Sequence, residues 1–218
     1  MTKFNFNNFD IHKMRKSLLI IIGLLLSINL SAQTAEEYLN NVIEKTKAYN
    51  DINIIFNYRI INKEAGINES MNGYGSMKGN SYKINVNGQE MISNGELLWT
   101  YLIDEGEVMV SKVTEDNNSS PIAIINSFSQ NIKANFSYSE DVNIKVIEIT
   151  ENEGDTFEKI NVTIDNNDLK IKKVHLYTND GNEFVYEIID FTTNQDLPDS
   201  MFIFNEALHP NVEVIDMR

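Results

Sequence analysis

Met91-Ile-Ser-Asn-Gly-Glu-Leu-Leu-Trp-Thr-Tyr-Leu102 carries the second of two closely spaced Asn-Gly pairs, Asn87-Gly88 and Asn94-Gly95. Each pair offers a residue tolerant of positive φ followed by one indifferent to it, as a two-residue type I′ hairpin turn requires. After the second pair, Leu97, Trp99, Tyr101 and Ile103 fall on alternate positions, so one apolar face of a strand points inward. The expectation is a tight antiparallel meander with the chain's single tryptophan on its buried face.

Outward from this stretch the same period continues. Ile52, Ile54, Phe56, Tyr58 and Ile60 alternate along a long strand with Asn53, Asn57 and Arg59 on its other side. A looser strand follows through Met71, Gly73, Gly75 and Met77, then one through Tyr82, Ile84 and Val86, giving about six strands by Val113. Met71, Met77, Met91 and Met109 along them suit either ordinary core filling or a deformable lining for varied apolar ligands. Strands resume at Phe136–Ser139, Val142–Thr150, Phe157–Ile164, Ile171–Thr178 and Glu183–Thr193. The turns Glu151–Asp155, Asp165–Asp168 and Asn179–Asn182 suit hairpins. Ten or eleven strands in meander order make a sheet large enough to curl.

Two helices interrupt the strands. Thr34-Ala-Glu-Glu37 is a capping box, and Ala35, Tyr38, Leu39, Val42, Ile43, Thr46 and Tyr49 repeat at helical spacing up to Asn50-Asp51. Pro121-Ile-Ala-Ile-Ile-Asn-Ser-Phe128 follows a polar loop, with proline after serine suited to a helix start. Ile122, Ile125 and Phe128 share one face of this short helix, which serves either core packing or as a lid over an opening.

Lys13, Arg15 and Lys16 precede the apolar run Leu18–Leu30, and Ser31-Ala32 supplies small residues for cleavage. Basic, then apolar, then small is the order of a secretory signal peptide over residues 1–32, with Met14 as an alternative start. The run is short for a membrane-spanning helix. Leu30-Ser-Ala-Gln33 resembles a bacterial lipobox except at its last position, where Gln33 cannot take a lipid. The mature chain, a single domain over residues 33–218, is therefore expected to be untethered, and with no cysteine it has no disulfide. Cleavage removes four basic residues and one acidic from the 18 and 32 of the chain, leaving a formal charge of −17. Such acidity disfavours nucleic acid and anionic lipid surfaces, and it favours a freely diffusing monomer.

Enzyme chemistry finds little support. Beyond the leader the histidines are His175 and His209, with no metal-ligand spacing and no nucleophile elbow, so neither a cofactor nor a metal is expected. Carboxylates are plentiful, mostly in turns, and leave open a hydrolase acting on lipids.

Several regions together resemble the LolA family of periplasmic lipoprotein carriers. They are the signal peptide, the capped helix and long strand, the Gly73-Tyr-Gly75 strand and the Ser93-Asn-Gly-x-x-x-Trp-x-Tyr101 meander. Pro121–Ile125 resembles the family's apolar lid helix, and Phe202-Ile-Phe204 through Val212–Asp216 its C-terminal ending. The resemblance implies an unclosed antiparallel β-barrel, a half-barrel covered by an N-terminal helix and a lid helix, that shelters lipoprotein acyl chains in the periplasm. By strand parity Phe56, Tyr58, Ile60, Tyr82, Ile84, Trp99 and Tyr101 would line the concave face, with Ile122, Ile125 and Phe128 on the lid. The implied partners are acylated lipoproteins, an inner-membrane ATP-driven lipoprotein-releasing transporter and an outer-membrane acceptor, with no reaction catalysed. A sensor or regulator of apolar or lipidated ligands on the same half-barrel is the alternative. The chain departs from the family where an Arg-Pro normally follows the Gly-x-Gly strand: it reads Met77-Lys-Gly-Asn-Ser-Tyr82, with Lys78 as a weaker substitute for a lid latch. His209-Pro-Asn211 stands where Pro-x-Gly is usual.

Overall fold

Thr34 caps the first described helix by satisfying amides that a helix end leaves free. In the computed structural model, which describes residues 33–114, 133–150 and 157–218, helix α1 (Ala35–Lys47) carries the full capping box. The Glu37 amide donates to Thr34 Oγ1 and the Thr34 amide donates to Glu37 Oε2, each at 3.2 Å. Acidic Glu36 and Glu37 in the first turn, and Lys45 and Lys47 in the last, complement the helix dipole. Ala35, Tyr38, Leu39, Val42 and Ile43 are buried, as their spacing predicts.

The rest is one open sheet. Its strands are β1 (Ile52–Asn62), β2 (Ile67–Lys78), β3 (Ser81–Val86), β4 (Gln89–Ser93), β5 (Leu97–Leu102) and β6 (Glu107–Lys112). They continue as β7 (Lys133–Ser137), β8 (Ile144–Thr150), β9 (Phe157–Asp165), β10 (Lys170–Thr178), β11 (Glu183–Thr193) and β12 (Glu213–Asp216). The spatial order is β12-β6-β5-β4-β3-β2-β1-β11-β10-β9-β8-β7. Two antiparallel meanders, β1 to β6 and β7 to β11, are thus joined side by side through β1 and β11. The edges β12 and β7 do not meet, so the sheet is an unclosed half-barrel. The described residues give twelve strands where ten or eleven were expected. The additional one is the C-terminal β12, which returns by a long connection and pairs parallel to β6.

Strand register assigns the residues to two faces, because directly paired residues point to the same side. On the face that carries α1, Ala134, Ile147, Ile149, Ile160, Val162 and Leu176 form one core with the buried side of the helix. Pairings carry that face across β11 and β1 to β3 through Phe184 and Ile60, Tyr186 and Tyr58, Ile188 and Phe56. On the opposite face Ile92, Trp99, Val108, Val110 and Phe204 form a second core, with Leu97, Tyr101 and Val212 packed against it. The C-terminal segment therefore covers the back of the first meander.

The crossing to that back face is braced at Asp51. Its buried carboxylate accepts from the amides of Gln195 (2.8 Å) and Leu197 (3.2 Å), while the Asn194 amide donates to its carbonyl (3.0 Å). Asn194 and Asp196 both have positive φ, so this turn needs external support. Lys78 supplies more, donating to the Leu197 carbonyl at 2.8 Å and pairing with Asp199 at 2.6 Å. The lysine expected to stand in for a lid latch is thus committed to anchoring the C-terminal connection. The Pro121–Phe128 helix, the Glu151–Asp155 turn and residues 1–32 lie outside the described residues. No described helix is long and apolar enough to cross a membrane.

Candidate apolar binding face

Five of the seven residues expected to line the cavity share the α1 face. Phe56, Tyr58 and Ile60 alternate along β1, and Ile84 pairs with Gly75, which pairs with Ile54 of the same row. Tyr82 pairs with Met77, opposite Ile52. Phe56 and Tyr82 are buried, and Tyr58, Ile60 and Ile84 are half-buried. The Gly-x-Gly of β2 has a local reason: a Cβ at Gly73 would come within 2.3 Å of the Phe56 ring, and one at Gly75 within 2.9 Å of the Ile54 side chain. The glycines let large β1 side chains lie flat over the neighbouring strand.

Trp99 and Tyr101 are on the other face, a correction to the expected lining. Trp99 pairs with Ile92 and Val110, and Ile92 pairs with Lys83, whose neighbours Tyr82 and Ile84 point to the α1 side. The physical reason is hairpin parity. A tight hairpin pairs even positions with odd ones, so the α1 face takes even residues on β3, odd on β4 and even again on β5. Leu98, Thr100 and Leu102 occupy the places assigned to Trp99 and Tyr101. Tyr101 instead packs on Phe204 and His209, with ring centroids at 5.3 and 4.8 Å. The lid residues Ile122, Ile125 and Phe128 lie outside the described residues.

The two Asn-Gly pairs behave differently. Asn87 and Gly88 both have positive φ, as a type I′ turn requires. At the second, only Gly95 does, and Gly95-Glu96 occupy the centre between Asn94 and Leu97. The Asn94 side chain accepts from the amides of Glu96 (3.0 Å) and Leu97 (2.8 Å) instead.

Beside the methionines already grouped by the sequence, the α1 face gathers Tyr186 and Phe184, which the sequence pattern did not bring together with β1. Tyr58 stacks on Tyr186 at 4.8 Å, Phe56 lies 6.2 Å from Tyr186, and Tyr58 lies 6.4 Å from Phe184. Met71, Met77, Met91 and Met109 all reach this face, paired with Tyr58, Tyr82, Ile84 and Thr100 respectively. Flexible, polarizable thioethers suit a lining that adapts to its ligand. Burial raises the phenol pKa of Tyr58, Tyr82 and Tyr186, so these rings stay neutral. A recess of about 270 Å³ opens at the end of α1 between Thr46, Tyr49, Ile52, Met77 and Asn80.

The histidines serve structure. On the opposite face, His175 Nε2 lies 2.9 Å from Glu183 Oε2 and Nδ1 lies 3.0 Å from the Tyr177 hydroxyl. Burial lowers the His175 pKa against the opposing pull of Glu183, so the ring is neutral at pH 7 despite its carboxylate neighbour. Because a carboxylate can only accept, Nε2 carries the proton and Nδ1 accepts from Tyr177. His209 stacks on Phe204 at 5.0 Å. Among the described residues no group of acidic or histidine side chains is arranged to hold a metal.

Comparison with known proteins agrees with this architecture. Residues 78–205, more than half of the chain, match the family described as outer membrane lipoprotein carrier protein LolA. The outer-membrane lipoprotein carrier protein of Francisella philomiragia subsp. philomiragia is 31% identical over 115 residues, 50% of this chain and 55% of that one. Its counterpart from Francisella tularensis subsp. novicida is 29% identical over 114 residues, 50% and 54% of the two chains. The chain thus spans about half the length of the curated relatives it matches. A solved structure of an uncharacterized conserved protein from Thermus thermophilus shares the fold, at TM-score 0.55 and 8% identity over 82% of this chain and 96% of that one. The match covers more than half of the chain, and this chain belongs to the family of the outer membrane lipoprotein carrier protein LolA.

Proposed function

We propose that this protein is a non-catalytic carrier that holds the acyl chains of lipoproteins against the α1 face of its half-barrel and moves them across the periplasm. The observation that carries this reading is the chemistry of that face. From Ile54, Phe56 and Tyr58 through Met77, Tyr82, Ile84 and Met91 it is uncharged, aromatic and methionine-rich. The curated relatives, named as outer-membrane lipoprotein carriers, support it. Each CH₂ group of an acyl chain left in water costs about 0.8 kcal/mol, so a lipoprotein crossing an aqueous compartment needs such a shelter. The cargo is received from an inner-membrane ATP-driven transporter and passed toward an outer-membrane acceptor.

The test is native mass spectrometry of the protein with a triacylated lipoprotein and with the same lipoprotein stripped of its acyl chains. A one-to-one complex with the acylated form alone is expected. Equal binding of both forms, or of neither, would refute the carrier reading.

A further inference from the structure

The α1 face is not uniformly hydrocarbon. One row of paired residues runs across it from Met71 through Tyr58, Tyr186, Val174, Val162 and Ile147 to Phe136. Only Tyr58 and Tyr186 in this row carry a hydroxyl, and they are direct cross-strand partners with rings stacked at 4.8 Å. They sit where the helix core ends: Val174 and Phe184 pack against that core, whereas Tyr186 is 37% exposed.

The proton count of the pair is informative. The two rings are close enough for at most one hydrogen bond between their hydroxyls, and neither hydroxyl has another partner among the described residues. A phenol donates one proton, so one mutual bond between two phenols leaves one O–H without an acceptor. Water can serve it while the face is open. Once an acyl chain covers the face and excludes water, a donor left bare opposes binding unless the ligand brings an acceptor.

We infer that the Tyr58–Tyr186 pair is a polar anchor within the apolar face, donating one hydrogen bond to the carbonyl of an acyl ester and so fixing how far the chain slides in. This rests on the α1 face being the acyl-binding surface. The pair selects acyl esters over ether-linked chains of equal length, whose oxygen is a weaker acceptor. Either hydroxyl can supply the donor, so the two residues act redundantly.

Full-length protein is titrated with dioctanoylglycerol and with the dioctyl ether of glycerol, each competing with a fluorescent fatty-acyl probe. The protein is expected to bind the ester about tenfold more tightly than the ether. Tyr58→Phe and Tyr186→Phe should each keep that preference within about twofold, and the double variant should bind both lipids alike. Equal binding of ester and ether by the unaltered protein would overturn the anchor while leaving the acyl-binding face intact, a result that does not depend on any variant folding. A preference retained by the double variant would overturn it too. If neither lipid displaces the probe from the unaltered protein, the acyl-binding reading falls and the anchor with it.

Discussion

The Phe56 ring lies across the backbone of Gly73 on the next strand, so that a Cβ at position 73 would sit 2.3 Å from Phe56 Cζ. Phe56 is buried and tilted against Tyr186 with ring centroids 6.2 Å apart, so relieving that overlap means moving the ring within a packed row. Gly73→Ala is therefore expected to cost about 1–3 kcal/mol of stability, the range for overpacking a well-filled interior. In the Gly73→Ala background, Phe56→Leu should recover part of the loss. Urea titration of the four proteins checks this. Additive losses in the double variant would mean that ring and glycine are not coupled.

Acid sensitivity should centre on Asp51. Backbone amides, first that of Gln195, hold its carboxyl below the usual carboxylate range, against a smaller opposing effect of burial. A depressed folded pKa means that its contribution is present above the unfolded value of about 3.9 and is lost as pH falls through the folded pKa. Asp51→Asn should lower the melting temperature at pH 7 and lessen the change in melting temperature between pH 5 and pH 3. An unchanged slope would show that the turn at Asn194 and Asp196 is held by other contacts.

His175 gives a separate signature at milder pH. Its folded pKa lies below the ordinary 6.5, because burial outweighs the attraction of Glu183. Its contribution is therefore fully present above that value and declines as pH falls through the folded pKa. Nitrogen-detected NMR at pH 7 should find a neutral ring protonated at Nε2, with a titration midpoint below that of free histidine. A charged ring at pH 7 would mean that the ion pair with Glu183 prevails.

Much of this was legible in the chain. The capping box of Thr34 and Glu37, the stripe from Ala35 to Ile43 and the full extent of β11 follow from local chemistry, which a single segment encodes. What was not legible locally is which strand lies beside which. The pairing of β1 with β11 and the parallel return of β12 are set by packing between distant segments. The faces of Trp99 and Tyr101 belong to an intermediate kind. Alternation within β5 shows that they share a side, and counting even and odd positions through the hairpins of β3, β4 and β5 assigns that side to the back. Parity within β5 alone puts Trp99 on an apolar face without saying which side of the sheet that face takes. Trp99 is buried by Phe204 and its neighbours.

That placement makes the only tryptophan a reporter of the wrong face for cargo. If acyl chains occupy the α1 side, saturating the protein with an acylated ligand should leave the Trp99 emission maximum nearly unchanged, since the residue is sealed against Ile92, Val110 and Phe204. A tryptophan introduced at Leu98, which pairs with Ser93 in the row of Tyr82, should shift to shorter wavelength on binding, measured in a Trp99→Phe background. Trp99→Ala, by contrast, should cost about 3–5 kcal/mol, the range for emptying a large aromatic site. It should also speed proteolysis in the segment around Phe204, without a matching loss of acyl affinity at temperatures where the protein stays folded. A large ligand-induced shift of native Trp99 emission, with none at the introduced tryptophan, would move the binding surface to the back of the sheet.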